Sequence, residues 1–171
     1  MPVPQPVPAP VNWVTAAHDP AFDQLELGVR TCSGAVLIGP AGVGKTTLAR
    51  ESAERLGPTF PRVDWVRGTA SGTAIPFAAF EPLLDVPETG KTAAVLRSAR
   101  ETLGDGRLLV VDDAHLLDAL SAALVYQLAV SSTVRMLITT TAGRGRIPPE
   151  IAALWRDGLV TRIDLEPPGH D

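Results

Sequence analysis

Residues 39–46 read Gly39-Pro40-Ala41-Gly42-Val43-Gly44-Lys45-Thr46: a glycine, four residues, then glycine, lysine and a hydroxyl residue. Each type at that spacing suits the grip of a phosphate chain. Glycines let the backbone curl until successive N–H groups point at one anion. A helix that opens directly after the loop turns its positive end towards the same charge. Lys45 adds a flexible cation for the terminal phosphates, and the Thr46 hydroxyl is a hard oxygen ligand for Mg²⁺. Thr47 closes the candidate phosphate-binding run.

A second constellation lies downstream. Leu108, Leu109, Val110 and Val111 lead into Asp112 and Asp113. An apolar run of this kind is a strand buried on both faces, and it delivers its last residues to the C-terminal edge of a sheet, where α/β folds bind ligands. Asp112 is placed to hold Mg²⁺ through water, and Asp113 to orient or deprotonate an attacking water. His115 and Asp118 lie close by in sequence, but there is no histidine pair at ligand spacing and no nearby cysteine, so His115 reads as a packing or supporting residue. Residues 136–141 end another strand in three threonines, with Arg144 just beyond. A polar strand end there would lie between the loop and the acidic pair, and Arg144 would then sense the terminal phosphate or sit in a solvated loop. Gly90-Lys91-Thr92 repeats part of the loop's lettering, but Asp85 stands where the first glycine belongs and no strand precedes it. It reads as a helix start with Thr89 as N-cap.

These residues need a scaffold, and the rest of the chain supplies its outline. Apolar runs at 35–38, 62–66, 108–111, 134–140 and 159–165 alternate with helical patterns at 45–56, 77–84, 91–103, 117–128 and 148–155. Five strands interleaved with helices predict an α/β three-layer sandwich, a P-loop NTPase fold with a five-stranded parallel sheet and no lid domain. Residues 1–19 form a Pro-rich tail and lead-in, and residues 20–171 the core domain. Residues 11–18, with Trp13 to stack, are the candidate grip on the nucleotide base.

Composition limits the partners. The 171 residues are 45% hydrophobic and 20% charged, as in a water-soluble globular domain. No apolar stretch approaches the roughly 20 residues that span a bilayer, and the N-terminus lacks a secretory pattern. One cysteine, Cys32, forms no internal disulfide, consistent with a reducing cytoplasm. The net charge is −4, and only Arg135, Arg144 and Arg146 cluster, too few for a face that grips nucleic acid.

Together, residues 39–48 (GPAGVGKTTL), 76–84 (PFAAFEPLL), 108–118 (LLVVDDAHLLD) and 138–144 (ITTTAGR) resemble the AAA+/STAND-type nucleotide-binding domain of the signal-transduction ATPases with numerous domains. The likeness is greatest to the large ATP-binding regulators of the LuxR family, and the spacing of LLVVDDAHLLD after PFAAFEPLL carries most of it. The resemblance implies a bacterial, cytoplasmic regulator in which bound ATP or ADP, with Mg²⁺, controls self-association. Such proteins continue into a lid, a sensing arm and a DNA-binding helix-turn-helix, so this chain reads as the ATPase core alone. The residues leave two other functions open: a small-molecule or nucleotide kinase, and a scaffold that holds nucleotide without hydrolysing it. A kinase would need an Arg-rich closing segment, and none is visible.

Overall fold

The computed structural model describes residues 12–84, 92–103, 106–132, 134–142 and 147–167. The elements are α1 (Asn12–Thr31), β1 (Gly34–Gly39), α2 (Lys45–Leu56), β2 (Arg62–Arg67), α3 (Thr92–Leu103), β3 (Arg107–Asp112), α4 (Ala119–Ser131), β4 (Val134–Thr141), α5 (Pro149–Arg156) and β5 (Thr161–Asp164). Five strands form one parallel sheet in the order β2-β3-β4-β1-β5. The expected three-layer α/β architecture is the one observed.

Strand alternation builds the layers. Ala35 and Leu37 of β1, Leu108 and Val110 of β3, and Leu137 of β4 pack with Leu25 and Val29 of α1 and with Leu48, Ala49 and Ala53 of α2. Their neighbours Val36, Ile38, Leu109, Val111, Met136 and Ile138 point the other way, into a second core with α3, α4 and α5. Successive strand residues face opposite sides of a sheet. Only a strand covered on both faces can therefore be apolar throughout, and Leu108, Leu109, Val110 and Val111 are all 0% exposed.

Two elements depart from the sequence reading. A 20-residue helix, α1, occupies the stretch expected as lead-in and runs across the expected boundary at residue 20. Pro20 lies inside it; a proline removes one helical hydrogen bond and reads locally as a boundary. Packing overrides that signal, because Ala21, Leu25 and Val29 recur every fourth residue on the buried face. Gly28 brings α1 close to the sheet: a Cβ there would lie 2.9 Å from the Gly34 carbonyl oxygen and 3.0 Å from Thr161. The helix expected over 77–84 is only a single 3₁₀ turn, Ala78–Phe80. Phe77 takes left-handed angles, φ 58°, and Pro82 supplies no backbone N–H to extend the turn. Residues 1–11, the Gly90-Lys91 decoy and Thr89 lie outside the described residues.

Candidate functional site

β1 runs into the loop at Gly39, and the chain turns back through Gly42 and Gly44, whose φ angles are +81° and +98°. These left-handed conformations cost little only for glycine. Gly44 caps α2, and Lys45 is its first residue. The Lys45 side chain folds over its own loop, with Nζ donating to the carbonyls of Gly39 and Pro40, both at 2.9 Å. Burial lowers the Lys45 pKa from its ordinary value, and the charges of Asp113 and Asp112 oppose that shift.

Across the sheet, β3 ends at Asp112, which is 1% exposed. Burial alone would raise its pKa. Hydrogen bonds from Thr139, Thr46 and Arg67, with the Arg67 charge, outweigh burial and hold the carboxyl below its ordinary range. Thr46 Oγ1 donates to Oδ1 at 3.0 Å and Thr139 Oγ1 to the same oxygen at 2.6 Å. Arg67 donates to Oδ2 from Nε at 3.1 Å and from Nη2 at 2.8 Å.

Adjacent strand residues should diverge, yet both acids lie at one edge because the chain turns. Asp113 takes left-handed angles, φ 53° and ψ 50°. Its N–H donates to Thr139 Oγ1 at 2.9 Å. That turn leaves Asp112 beneath Thr46 and sets Asp113 on the wall of an open cavity of about 360 Å³. Ala41, Gly42, Gly44, Lys45, Thr46 and Thr47 line one side, and Asp113 and Thr141 the other. β4 lies between β1 and β3, so the threonine-rich strand end does stand between loop and acids.

His115 Nδ1 accepts the Thr141 N–H at 3.3 Å, tying the acid turn to the end of β4. Burial lowers its pKa; the Asp113 charge opposes this, the Lys45 charge adds to it, and Asp112 opposes it least. Asp118 Oδ2 caps α4 by accepting from Ser121 N at 3.0 Å, and it also accepts from Phe77 N at 2.8 Å. Arg144 and Arg146 lie outside the described residues. Arg135 is described, and its guanidinium donates to the Cys32 carbonyl. The backbone of residues 12–18 is helical, while the Trp13 side chain lies outside the description.

Sequence reasoning missed Arg67 and the part played by Thr139. Only the register, which sets Arg67 opposite Asp112, joins residues so far apart in the chain. As for Mg²⁺, Thr46 and Asp112 bring hard oxygens together, and a carboxyl held in its ionised form is the donor that ion favours. The residues fit the metal.

Loop, acidic pair and strand order together define a P-loop NTPase. A family model described as an AAA domain matches residues 29–144, and the chain belongs to that family. No curated protein matches the sequence. Among solved structures, a DNA replication initiation factor aligns with TM-score 0.57 and 13% identity over 88% of this chain and 46% of its own. The Pif1 helicase of Candida albicans aligns with TM-score 0.55 and 16% identity over 88% of this chain and 39% of its own. The RuvB Holliday junction branch migration motor of Thermotoga maritima aligns with TM-score 0.48 and 21% identity, covering 86% and 44%. The chain thus spans less than half the length of these structures. Among the described residues, no helix is long and apolar enough to cross a membrane.

Proposed function

We propose that this domain binds ATP and ADP with Mg²⁺, hydrolyses ATP slowly, and serves as the nucleotide-dependent switch of a cytoplasmic, bacterial LuxR-type transcriptional regulator. One observation carries the nucleotide reading: the phosphate loop and Asp113 face each other across a single cavity, with Thr46 resting on Asp112. The residues from Gly39 to Thr47 cradle the phosphates. Lys45 leaves the loop carbonyls for the terminal phosphates, a better partner for an ammonium than two neutral oxygens. Thr46 and Asp112 hold Mg²⁺, which when bound neutralises phosphate charge. Asp113 accepts the proton of a water that attacks the terminal phosphorus, and the bond to the ADP oxygen breaks. Arg144, three residues beyond β4 in the sequence, is assigned to the terminal phosphate in the same reading.

The regulator reading is supported by two of the four segments behind the family resemblance, those whose spacing carries most of it. They meet directly, since the Phe77 N–H of PFAAFEPLL donates to Asp118 of LLVVDDAHLLD. Pif1 is named as a helicase, and at 16% identity it has the fold alone in common with this chain. The net charge of −4 argues against a nucleic-acid grip by this segment. Control of self-association by nucleotide state is part of the proposal.

The test is to measure phosphate release from ATP, phosphate transfer to small hydroxyl acceptors, and the nucleotide retained by the purified protein. The expected outcome is slow, Mg²⁺-dependent release to water. Transfer to an acceptor would make the protein a kinase, and retained nucleotide without release would make it a scaffold.

A further inference from the structure

Arg67 is the last residue of β2 and pairs in register with Asp112 on the neighbouring strand. The two partners are unlike: the Arg67 side chain is 57% exposed and that of Asp112 only 1%. A guanidinium that remains largely in water thus holds the carboxylate to which the metal reading assigns Mg²⁺. Oδ1 is engaged by Thr46 and Thr139, whereas Oδ2 takes both Arg67 bonds and a longer contact of 3.3 Å from Thr46. Two of the three contacts at Oδ2 come from Arg67, so that oxygen opens to the water shell of a cation only when Arg67 leaves it. Two cations at one carboxylate edge repel, and a buried carboxylate left with neither is costly. One should therefore give way when the other arrives.

A second carboxylate lines the same cavity as Arg67. Arg67 lines a cavity of about 340 Å³ beside β2, together with Trp65, Thr69, Ala79, Pro82 and Asp118. Asp118 is 3% exposed. Its Oδ2 is occupied by Phe77 N and Ser121 N, but its Oδ1 accepts no hydrogen bond. Buried carboxylate oxygens are seldom left so, and arginine is the side chain best shaped to satisfy one.

We propose that Arg67 is a counter-ion with two seats: Asp112 Oδ2 while no divalent cation is present, and Asp118 Oδ1 once Mg²⁺ and nucleotide enter. It is a positioning residue, and the proposal rests on the Mg²⁺-nucleotide reading above. Because Asp118 both caps α4 and holds the Phe77 N–H, the exchange carries metal loading to the segment around residues 70–84.

The experiment titrates Mg²⁺ into the chain with a fluorescent ADP analogue, reading the Mg²⁺ concentration that half-saturates the metal-dependent binding. Parent, Arg67→Met, Asp118→Asn and the double variant are compared. Asparagine can still cap α4, so Asp118→Asn should fold. Arg67→Met should need less Mg²⁺, by at least about fivefold, the lower end of a typical coupling between sites. Asp118→Asn should need more, and that effect should vanish in the Arg67→Met background. Without Mg²⁺ or nucleotide, Arg67→Met should melt below the parent, and Mg²⁺ with ADP should narrow the gap. An unchanged or higher Mg²⁺ requirement in Arg67→Met would overturn the proposal, as would an Asp118→Asn effect that persists in full without Arg67. A parent that binds the analogue with no response to Mg²⁺ would remove the metal reading and this proposal with it. A parent that responds, with Arg67→Met responding identically, removes this proposal alone.

Discussion

Lys45 is buried at the start of α2, and its ammonium rests on two loop carbonyls. Lys45→Ala should leave the melting temperature close to that of the parent and weaken ATP about tenfold or more, as expected for a lost hydrogen bond to a charged group. Equilibrium binding by calorimetry checks this, and equal affinity would remove the lysine from the site. The two acids should separate by role. Asp112→Asn should weaken binding in the presence of Mg²⁺ more than in its absence. Asp113→Asn should keep binding and lose phosphate release, because an amide holds water but cannot take its proton. Reversed outcomes would exchange the assignments. The Asp112 carboxyl also fixes a pH dependence. Its folded pKa lies below the ordinary value of 3.8, so its ionised form stabilises the fold at every pH above that value. The contribution is lost as pH falls through the lower, folded value. Denaturant unfolding of the nucleotide-free chain between about pH 5 and pH 2 should show a shallower acid loss in Asp112→Asn than in the parent. The loop and both acids are legible in the sequence because their chemistry depends on local spacing. Arg67 and Thr139 are not, since their roles exist only once β2 and β4 lie beside β3.

Among the elements, α1 was the one the sequence hid. Pro20 gives a stop signal at short range, while the buried face from Ala21 to Val29 gives its evidence only over two turns. Strands were easier to read: a run of four apolar residues such as 108–111 has few other uses in a chain of this composition. The segment after Pro76 misled for the opposite reason, since Phe77, Phe80 and Leu84 have helical spacing and are buried, yet the left-handed Phe77 and Pro82 keep the turn short. If α1 is a full member of the layer it forms with α2, Leu25→Ala should cost about 3 kcal/mol of unfolding free energy, the usual range for emptying a packed site. Leu27 is 60% exposed on the same helix, and Leu27→Ala should change stability by less than about 0.5 kcal/mol. Urea unfolding of both variants gives the answer. Equal small effects would make α1 an appendage of the domain.

At the scale of the whole molecule, the nucleotide cavity that the described residues form is open between the loop and the acid turn. ATP should therefore bind with a Kd of about micromolar or weaker, and turnover should fall well below the roughly 10 s⁻¹ common to enzymes. A coupled phosphate assay on the 171-residue chain measures both the rate and its dependence on ATP; brisk turnover would contradict a slow switch. The order of strands has a further effect on that cavity. The loop leaves β1 and the acids end β3, with a single strand, β4, between them. Parallel neighbours stand about 4.8 Å apart, so the strands that carry the two halves of the site are held roughly 10 Å from each other by peptide hydrogen bonds. The sheet is thus a gauge whose span is fixed by backbone geometry. Repacking either core can tilt a helix or soften a loop without altering it. Tuning what fits the gap falls to the tip of the middle strand, where one hydroxyl, that of Thr139, donates to one acid and accepts from the backbone of the other.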